Sequence, residues 1–544
     1  MFRSRIFRSL SDAARLRVEA FDRSIVNAND KMQEAAMEIF GNQETTLDYL
    51  LKRAEENREK TSLIFDNDEF SRGWIADKLN QTSRLVKTLE LEDEDVIAYL
   101  SFNSEDFIPT VSGISAGGAI PALINTSMKG SALKHSIELT NAKYVIVGGD
   151  PVHHEALESL NLRIPIISKT KNYGLGLLDD LRNKESTDRI EHQDIGPMDI
   201  FTLIFTSGTT GLPKAAVKKH FQPTLSCHAG RVFYNYNEDK MLQNDLPLFH
   251  FSGLLNCIVA MSNGSKVCLS SKFSPSEAVK TFTENYPITH MMYIGETIRY
   301  INNTEPKATD QNHQLELCLG NGLDRREWTK FNDRFGDHIW MAEVYGATEL
   351  PFILTTTLGD DGKPFVRNGA ISRLTPTFQE LNGLKLVKKD PNDEGFLRDE
   401  NGHLVEVGFN EPGILIMRVS EIYQYSGYFN DEKKTSEKVI DDPFGDGEVW
   451  VDSGDMLEIN EEYELFFCDR LGDTYRWKGE NVSAAEVERV VLESGEFTEA
   501  VAYGVKVKGN EGRMGVIAGK CNEMTIEKIQ KVAKKCQAKV NNFL

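Results

Sequence analysis

Apolar residues recur along this chain with two periods. Between residues 44 and 150, segments with an apolar side chain every three or four positions alternate with short unbroken apolar runs, such as Val96-Ile97-Ala98-Tyr99-Leu100 and Tyr144-Val145-Ile146-Val147. The first period predicts amphipathic helices and the second predicts buried strands, so the alternation implies α/β layers. A polar, charged stretch from Asn183 to Asp199 leads to a strand at Ile200 to Phe205, and Ala215-Ala216-Val217 predicts another. Lys388 to Pro412 is rich in turn formers and acids. Within it Asn401-Gly402, between Phe396-Leu397 and Leu404-Val405, predicts a hairpin turn, since both residues tolerate positive φ. The residues from Asp473 onward read as a separate small unit, closing on a lysine-rich amphipathic helix from Thr525 to Val540. No internal repeat or low-complexity tract is visible.

Phe107 to Met128 is the longest uncharged stretch. Its middle carries Ser112, Gly113, Ser115, Gly117 and Gly118, the texture of tightly packed helices and turns and not of a lipid-facing span. The first ten residues hold three arginines and no acid. If helical, they set Phe2, Ile6 and Leu10 on one face, compatible with a membrane-surface helix, a transit peptide or a frayed solvated end.

Composition narrows the class. The 544 residues correspond to roughly three or four domain-sized units. With 40% hydrophobic and 27% charged residues, the chain is a folded one and not a disordered one. A formal charge of −21, with no basic patch in the body of the chain, argues against nucleic acid as a partner. An anion can still bind where a loop supplies backbone donors and a cation or two. Seven cysteines (Cys227, Cys257, Cys268, Cys318, Cys468, Cys521 and Cys536) are dispersed, with no C-x-x-C pair and no zinc-ligand spacing. They read as reduced, buried thiols of an intracellular, cytosol-facing chain.

The most informative segment is Thr206-Ser207-Gly208-Thr209-Thr210-Gly211-Leu212-Pro213-Lys214, set between two predicted strands. Its glycines allow successive amides to point into one concavity, its four hydroxyls add donors for phosphate oxygens, and Lys214 supplies a mobile positive charge. It is not a Walker loop: counted from Gly208, Pro213 replaces the second glycine and Ala215 replaces the magnesium-binding hydroxyl.

This loop resembles the phosphate loop of the adenylate-forming, AMP-binding superfamily. Other matches follow in that superfamily's order: Pro247-Leu248-Phe249-His250, Tyr345-Gly346-Ala347-Thr348-Glu349, Ser453-Gly454-Asp455 and Asp469-Arg470. Tyr293-Ile294-Gly295-Glu296, Gly320-Asn321-Gly322-Leu323 and Asp469 to Glu488 are similar more specifically to the fatty acid transport protein and very-long-chain acyl-CoA synthetase family. The resemblance spans about residues 45 to 520.

It implies an α/β fold in three parts. These are a basic, amphipathic N-terminal segment (1–43), a large multi-subdomain adenylation domain (44–471), and a small, mobile α+β C-terminal domain (472–544), incomplete relative to the family. It also implies a ligase that joins a long- or very-long-chain fatty acid to coenzyme A through an acyl-adenylate, with a link to fatty acid uptake. The ligands would be ATP, Mg²⁺, coenzyme A and the fatty acid. By the same resemblance, Thr206, Ser207, Gly208, Thr209, Thr210, Gly211 and Lys214 would grip the β- and γ-phosphates. Thr348 would bind the α-phosphate and Glu349 would hold Mg²⁺, which prefers hard oxygen ligands. Tyr345 would stack on the adenine, with Gly346 next to it in the nucleotide site and Asn321 and Gly322 lining the other side of the base. Asp455 would hold the ribose, assisted by Arg470. Gly472 would be the pivot, and Arg476, Lys478 and Gly479 would face coenzyme A after the C-terminal domain turns. His250 reads as a satisfied core histidine or as an acyl-pocket wall.

Two departures qualify this. Members of the family carry a late lysine that contacts the α-phosphate, and the sequence ends before that segment; Lys531, Lys534, Lys535 and Lys539 do not match it. The expectation is a truncated sequence or an enzyme weak in adenylation. The N-terminal membrane helix of many members has no counterpart, which leaves peripheral contact with endoplasmic reticulum, peroxisomal or plasma membrane open, as is the oligomeric state. The competing readings are a fatty-acid or nucleotide binding protein that promotes uptake without turnover, and an adenylating enzyme with another thiol acceptor.

Overall fold

The computed structural model describes residues 11–191, 194–206, 212–350, 353–357, 365–366, 369–390, 395–470, 475–477, 480–482, 484–506, 513–521 and 523–539. The chain forms two compact units. The larger contains Leu16–Ser372 with Val419–Lys438, and the smaller contains Arg373–Arg418 and Val439–Leu544 together with Met1–Arg15.

Two sheets organise the larger unit. The first has six strands in the order Ile166–Ser168, Tyr144–Val147, Val96–Leu100, Ile120–Leu123, Ile200–Thr206, Lys214–Lys219. The first five are parallel and the last is antiparallel to its neighbour. The predicted strands at 96–100, 144–147, 200–205 and 215–217 are all present, and the first is buried at every position. Parallel sheets are covered on both faces, which explains unbroken apolar runs where alternation would mark a half-exposed strand. The second sheet has eight strands. Its parallel core places Trp340–Tyr345, Leu317–Asn321, His290–Ile294, Met241–Asn244, Lys266–Leu269 and Thr61–Phe65 side by side.

The uncharged stretch behaves as its composition implied. Helix Phe107–Ala116 packs on helix Arg72–Thr88 so closely that a Cβ on Gly113 would sit 2.5 Å from Thr82 Cβ, and one on Gly117 2.6 Å from Val86 Cβ. Helix Asp12–Asn42 buries Val18, Phe21, Ile25 and Ile39, and Phe40 stacks on Phe221 at 4.7 Å. Residues 1–10 lie outside the described residues. No helix among the described residues is long and apolar enough to cross a membrane.

The smaller unit is built on an antiparallel sheet of Leu384–Val387, Gly413–Arg418, Val449–Ile459 and Glu464–Arg470. Along Val449–Ile459 burial alternates, the period-two pattern of a strand with one covered face. Beyond it, Glu499–Lys506 pairs with Arg513–Lys520, and helices Ala484–Glu493 and Ile526–Lys539 bury Val487, Val491, Val532 and Cys536 against that hairpin. The hairpin at Asn401-Gly402 forms, with one difference: only Gly402 takes positive φ (84°). The Asp399 carboxylate accepts from the amides of Asn401 and His403 at 2.9 Å, which holds Asn401 out of the left-handed region and lengthens the loop by one residue.

Candidate active site

Thr206 and Lys214 pair across the antiparallel strands Ile200–Thr206 and Lys214–Lys219, at the base of the connecting loop. Ser207, Gly208, Thr209, Thr210 and Gly211 lie outside the described residues. The free edge of the lysine strand takes up a distant segment: Val217 donates its amide to the Gly427 carbonyl (3.1 Å), and Phe429 donates to that of Ala215 (2.8 Å). Gly427 has φ 66°, and a Cβ there would lie 2.3 Å from Thr435. This backbone pairing sets Tyr428 beside Lys214, whose Nζ lies 4.9 Å from the ring centroid. The Tyr428 hydroxyl donates to Glu349 Oε1 at 2.7 Å. One tyrosine therefore links the loop lysine to the glutamate that follows strand Trp340–Tyr345.

Electrostatics keep this trio poised. Burial lowers the Lys214 pKa, the cations of Lys434 and Lys438 lower it further, and Glu349 and Asp431 oppose them. Burial and the Glu349 charge raise the Tyr428 phenol, so it remains a donor. Among the described residues Lys214 has no ion pair, and the Thr348 hydroxyl has no hydrogen bond.

A second set of predicted residues gathers at the carboxyl ends of three neighbouring parallel strands, His290–Ile294, Leu317–Asn321 and Trp340–Tyr345, where open α/β sheets bind ligands. Two of their loops meet backbone to backbone. A Cβ on Gly295 would lie 1.9 Å from the Gly322 carbonyl oxygen, and one on Gly320 would lie 2.1 Å from that of Tyr293. Glu343, directly across from Gly320 in the sheet, stitches the turn from below. Its Oε2 accepts from the Gly322 amide (3.0 Å), and its Oε1 accepts from the Leu323 amide (3.0 Å) and the Tyr293 hydroxyl (2.7 Å). Burial raises the Glu343 pKa to about 7 against the pull of these donors. Asn321, Gly322 (φ 74°) and Gly346 are exposed at this rim, while Tyr345 is 7% exposed.

In the smaller unit Asp455 and Arg470 face each other across strands Val449–Ile459 and Glu464–Arg470, with Arg470 Nε 3.6 Å from Asp455 Oδ1. Asp455 is buried, and Gly454 turns the chain before it at φ 76°. Arg476 lies in strand Tyr475–Trp477, opposite Asn481. Its side chain, Gly472, Lys478 and Gly479 lie outside the described residues.

His250 is not a core histidine. It is exposed where the chain enters helix Phe251–Ser262, with its ring 4.5 Å from that of Phe249. Its accessible position at the helix start sets aside the satisfied-core reading, while burial among its neighbours still lowers its pKa, and the acyl-pocket-wall reading is not contradicted. Five of the seven cysteines are buried. Two contributors escaped the sequence reading, Tyr428 and Glu343, as did the burial of Lys218 on the loop strand. The only local sign of the first is aromatic density, with Tyr423, Tyr425, Tyr428 and Phe429 in an otherwise polar stretch.

The residues fit a nucleotide triphosphate and a hard cation. Lys214 and Thr348 are donors without described partners. Glu349 has one oxygen fixed by Tyr428, and the other has no described hydrogen bond.

Residues 50–428 match the AMP-binding enzyme family. Long-chain fatty acid transport protein 6 of Mus musculus is 32% identical over 482 residues, covering 87% of this chain and 76% of that protein. The very long-chain fatty acid transport protein of Saccharomyces cerevisiae is 33% identical over 432 residues, covering 75% of this chain and 63% of that one. Among solved structures, an anthranilate CoA ligase in complex with anthranoyl-AMP superposes with a TM-score of 0.74 at 20% identity, covering 92% of each chain. A benzoate CoA ligase from Burkholderia xenovorans LB400 superposes equally well (0.74, 19% identity, 92% of this chain and 94% of that one). The fold is thus the mixed α/β adenylation fold, with a small C-terminal β/α region.

Proposed function

We propose that this chain, which belongs to the AMP-binding enzyme family and is an adenylate-forming ligase related to the long-chain fatty acid transport proteins, is an ATP-dependent ligase joining long- or very-long-chain fatty acids to coenzyme A. The observation that carries the reading is the convergence of Lys214 and Glu349 on Tyr428. They come from two strands' ends, far apart in sequence, as neutralising and organising a polyphosphate requires.

On this reading the barrier is the meeting of two anions, a carboxylate and the α-phosphate. The protein's task is to neutralise, align and exclude water. Lys214 and the loop of Thr206 to Gly211 take the β- and γ-phosphates, and Thr348 donates to the α-phosphate. Glu349, oriented by Tyr428, offers its remaining oxygen to Mg²⁺, which supplies charge neutralisation when bound. Asn321, Gly322, Tyr345 and Gly346 border the base, and the Asp455 carboxylate, assisted by Arg470, accepts hydrogen bonds from the ribose hydroxyls. After adenylation the C-terminal domain, taken as 472–544, presents Arg476, Lys478 and Gly479 to coenzyme A. Thioester formation would trap the fatty acid inside the cell and so favour uptake.

The test is pyrophosphate release and acyl-CoA formation from ATP, Mg²⁺, coenzyme A and fatty acids of increasing length. Lys214→Ala and Glu349→Ala should each lower turnover a hundredfold or more, about 3 kcal/mol of lost charge stabilisation. A folded wild-type chain that releases no pyrophosphate with any acid of the series would refute the proposal. Binding without turnover would favour a lipid-binding role.

A further inference from the structure

Four residues beyond Lys214, on the same face of strand Lys214–Lys219, stands a lysine that the proposed function does not use. Lys218 is 3% exposed. Its Nζ lies 4.7 Å from the centroid of the Phe251 ring, and among the described residues it has neither an ion pair nor a hydrogen bond. The opposite face of the strand sends Ala215 and Val217 into an apolar core, so Lys218 is not there to fill that layer.

The energies do not balance. A cation–π contact to one ring does not replace the hydration that an ammonium gives up on burial. Burial lowers the Lys218 pKa to about 8, with the Glu349 charge opposing, which still leaves the group mostly protonated at neutral pH. A buried amine with no hydrogen bond or ion pair among the described residues has donors to offer an anion from outside the chain.

Two neighbours say which anion. Lys214 stands over the Tyr428 ring and Lys218 over the Phe251 ring, so the two ammoniums have different aromatic surroundings. Phe251 opens helix Phe251–Ser262 immediately after Pro247-Leu248-Phe249-His250, the segment whose family resemblance is to an acyl-pocket wall. We propose that Lys218 is the counter-ion for a carboxylate carried by the acid substrate. This rests on the acid-binding reading above and sharpens its substrate class. The carboxylate is either the reacting one, docked before activation, or a second one at the far end of an α,ω-diacid.

The experiment is calorimetric titration of the full chain with a saturated fatty acid and with the α,ω-diacid of equal carbon number. Wild type, Lys218→Met and Lys218→Arg are compared at pH 7. Lys218→Met should weaken binding at least tenfold, while Lys218→Arg stays within about threefold. Loss confined to the diacid assigns the distal carboxylate, and loss for both acids assigns the reacting one. Binding of both acids to Lys218→Met within twofold of wild type overturns the proposal. Should that variant fail to fold, wild type decides. Its affinity must fall at least tenfold from pH 7 to 9.5 as the lysine discharges, and an unchanged affinity overturns the idea. Pyrophosphate release measured in parallel separates the two claims, because lysine-dependent binding without release sinks the ligase reading and sustains this one.

Discussion

Glu343 offers the sharpest test of the physics beneath the nucleotide rim. Its carboxylate is 6% exposed, yet it accepts from two backbone amides and a tyrosine hydroxyl. Burial favours the neutral acid, and the three donors favour the carboxylate. The balance places its pKa at about 7, well above the 4.5 of a free glutamate. A carboxyl whose pKa is raised by folding holds a proton that the unfolded chain has released. Stability contributed by that proton is complete below about pH 4.5 and is lost as pH rises toward 7, then flat. At 1.36 kcal/mol per pH unit, the window is worth about 3 kcal/mol. Glu343→Gln removes the titration. It also turns an amide NH₂ toward a backbone N–H, costing on the order of 1–3 kcal/mol for the unsatisfied donor. Thermal unfolding of wild type and Glu343→Gln from pH 4.5 to 8 measures both effects. Wild type should lead by its widest margin at pH 5, and that margin should shrink by a few degrees by pH 7.5. A margin independent of pH would refute the argument, because it would mean that the donors outweigh burial and the group is ionised throughout.

Two further predictions concern the same framework. Tyr428→Phe keeps the ring under Lys214 but removes the donor to Glu349; turnover should fall about tenfold, in line with a hydrogen bond to a charged group worth roughly 1.5 kcal/mol, with melting temperature nearly unchanged. Equal turnover by the two proteins would show that Glu349 needs no such orientation. Gly295→Ala must separate two loops now in backbone contact, since its Cβ would stand 1.9 Å from the Gly322 carbonyl. It should destabilise by about 1–3 kcal/mol, the usual cost of overpacking, and weaken ATP affinity; a variant with wild-type melting and ATP binding would contradict the close approach.

What the sequence determined by itself was local. Unbroken apolar runs marked the parallel strands at 96–100 and 144–147, because a strand covered on both faces has no polar position to alternate with. Glycines and serines in 107–118 marked close helix packing, because small side chains are what close packing requires. The phosphate loop stood out because its chemistry lies in consecutive residues. Tertiary structure decided everything that depends on which strand lies beside which. Sheet order brings Glu343 beneath Gly322 and seats Gly295 on Gly322. The free edge of the strand Lys214–Lys219 captures Gly427-Tyr428-Phe429, which places a tyrosine between Lys214 and Glu349, and the same layer buries Lys218 without a partner. The core reading of His250 and the positive φ expected of Asn401 failed for the same reason: periodicity and neighbours report a residue's own stretch of chain, while burial and pairing are set by segments that only the folded sheet brings together.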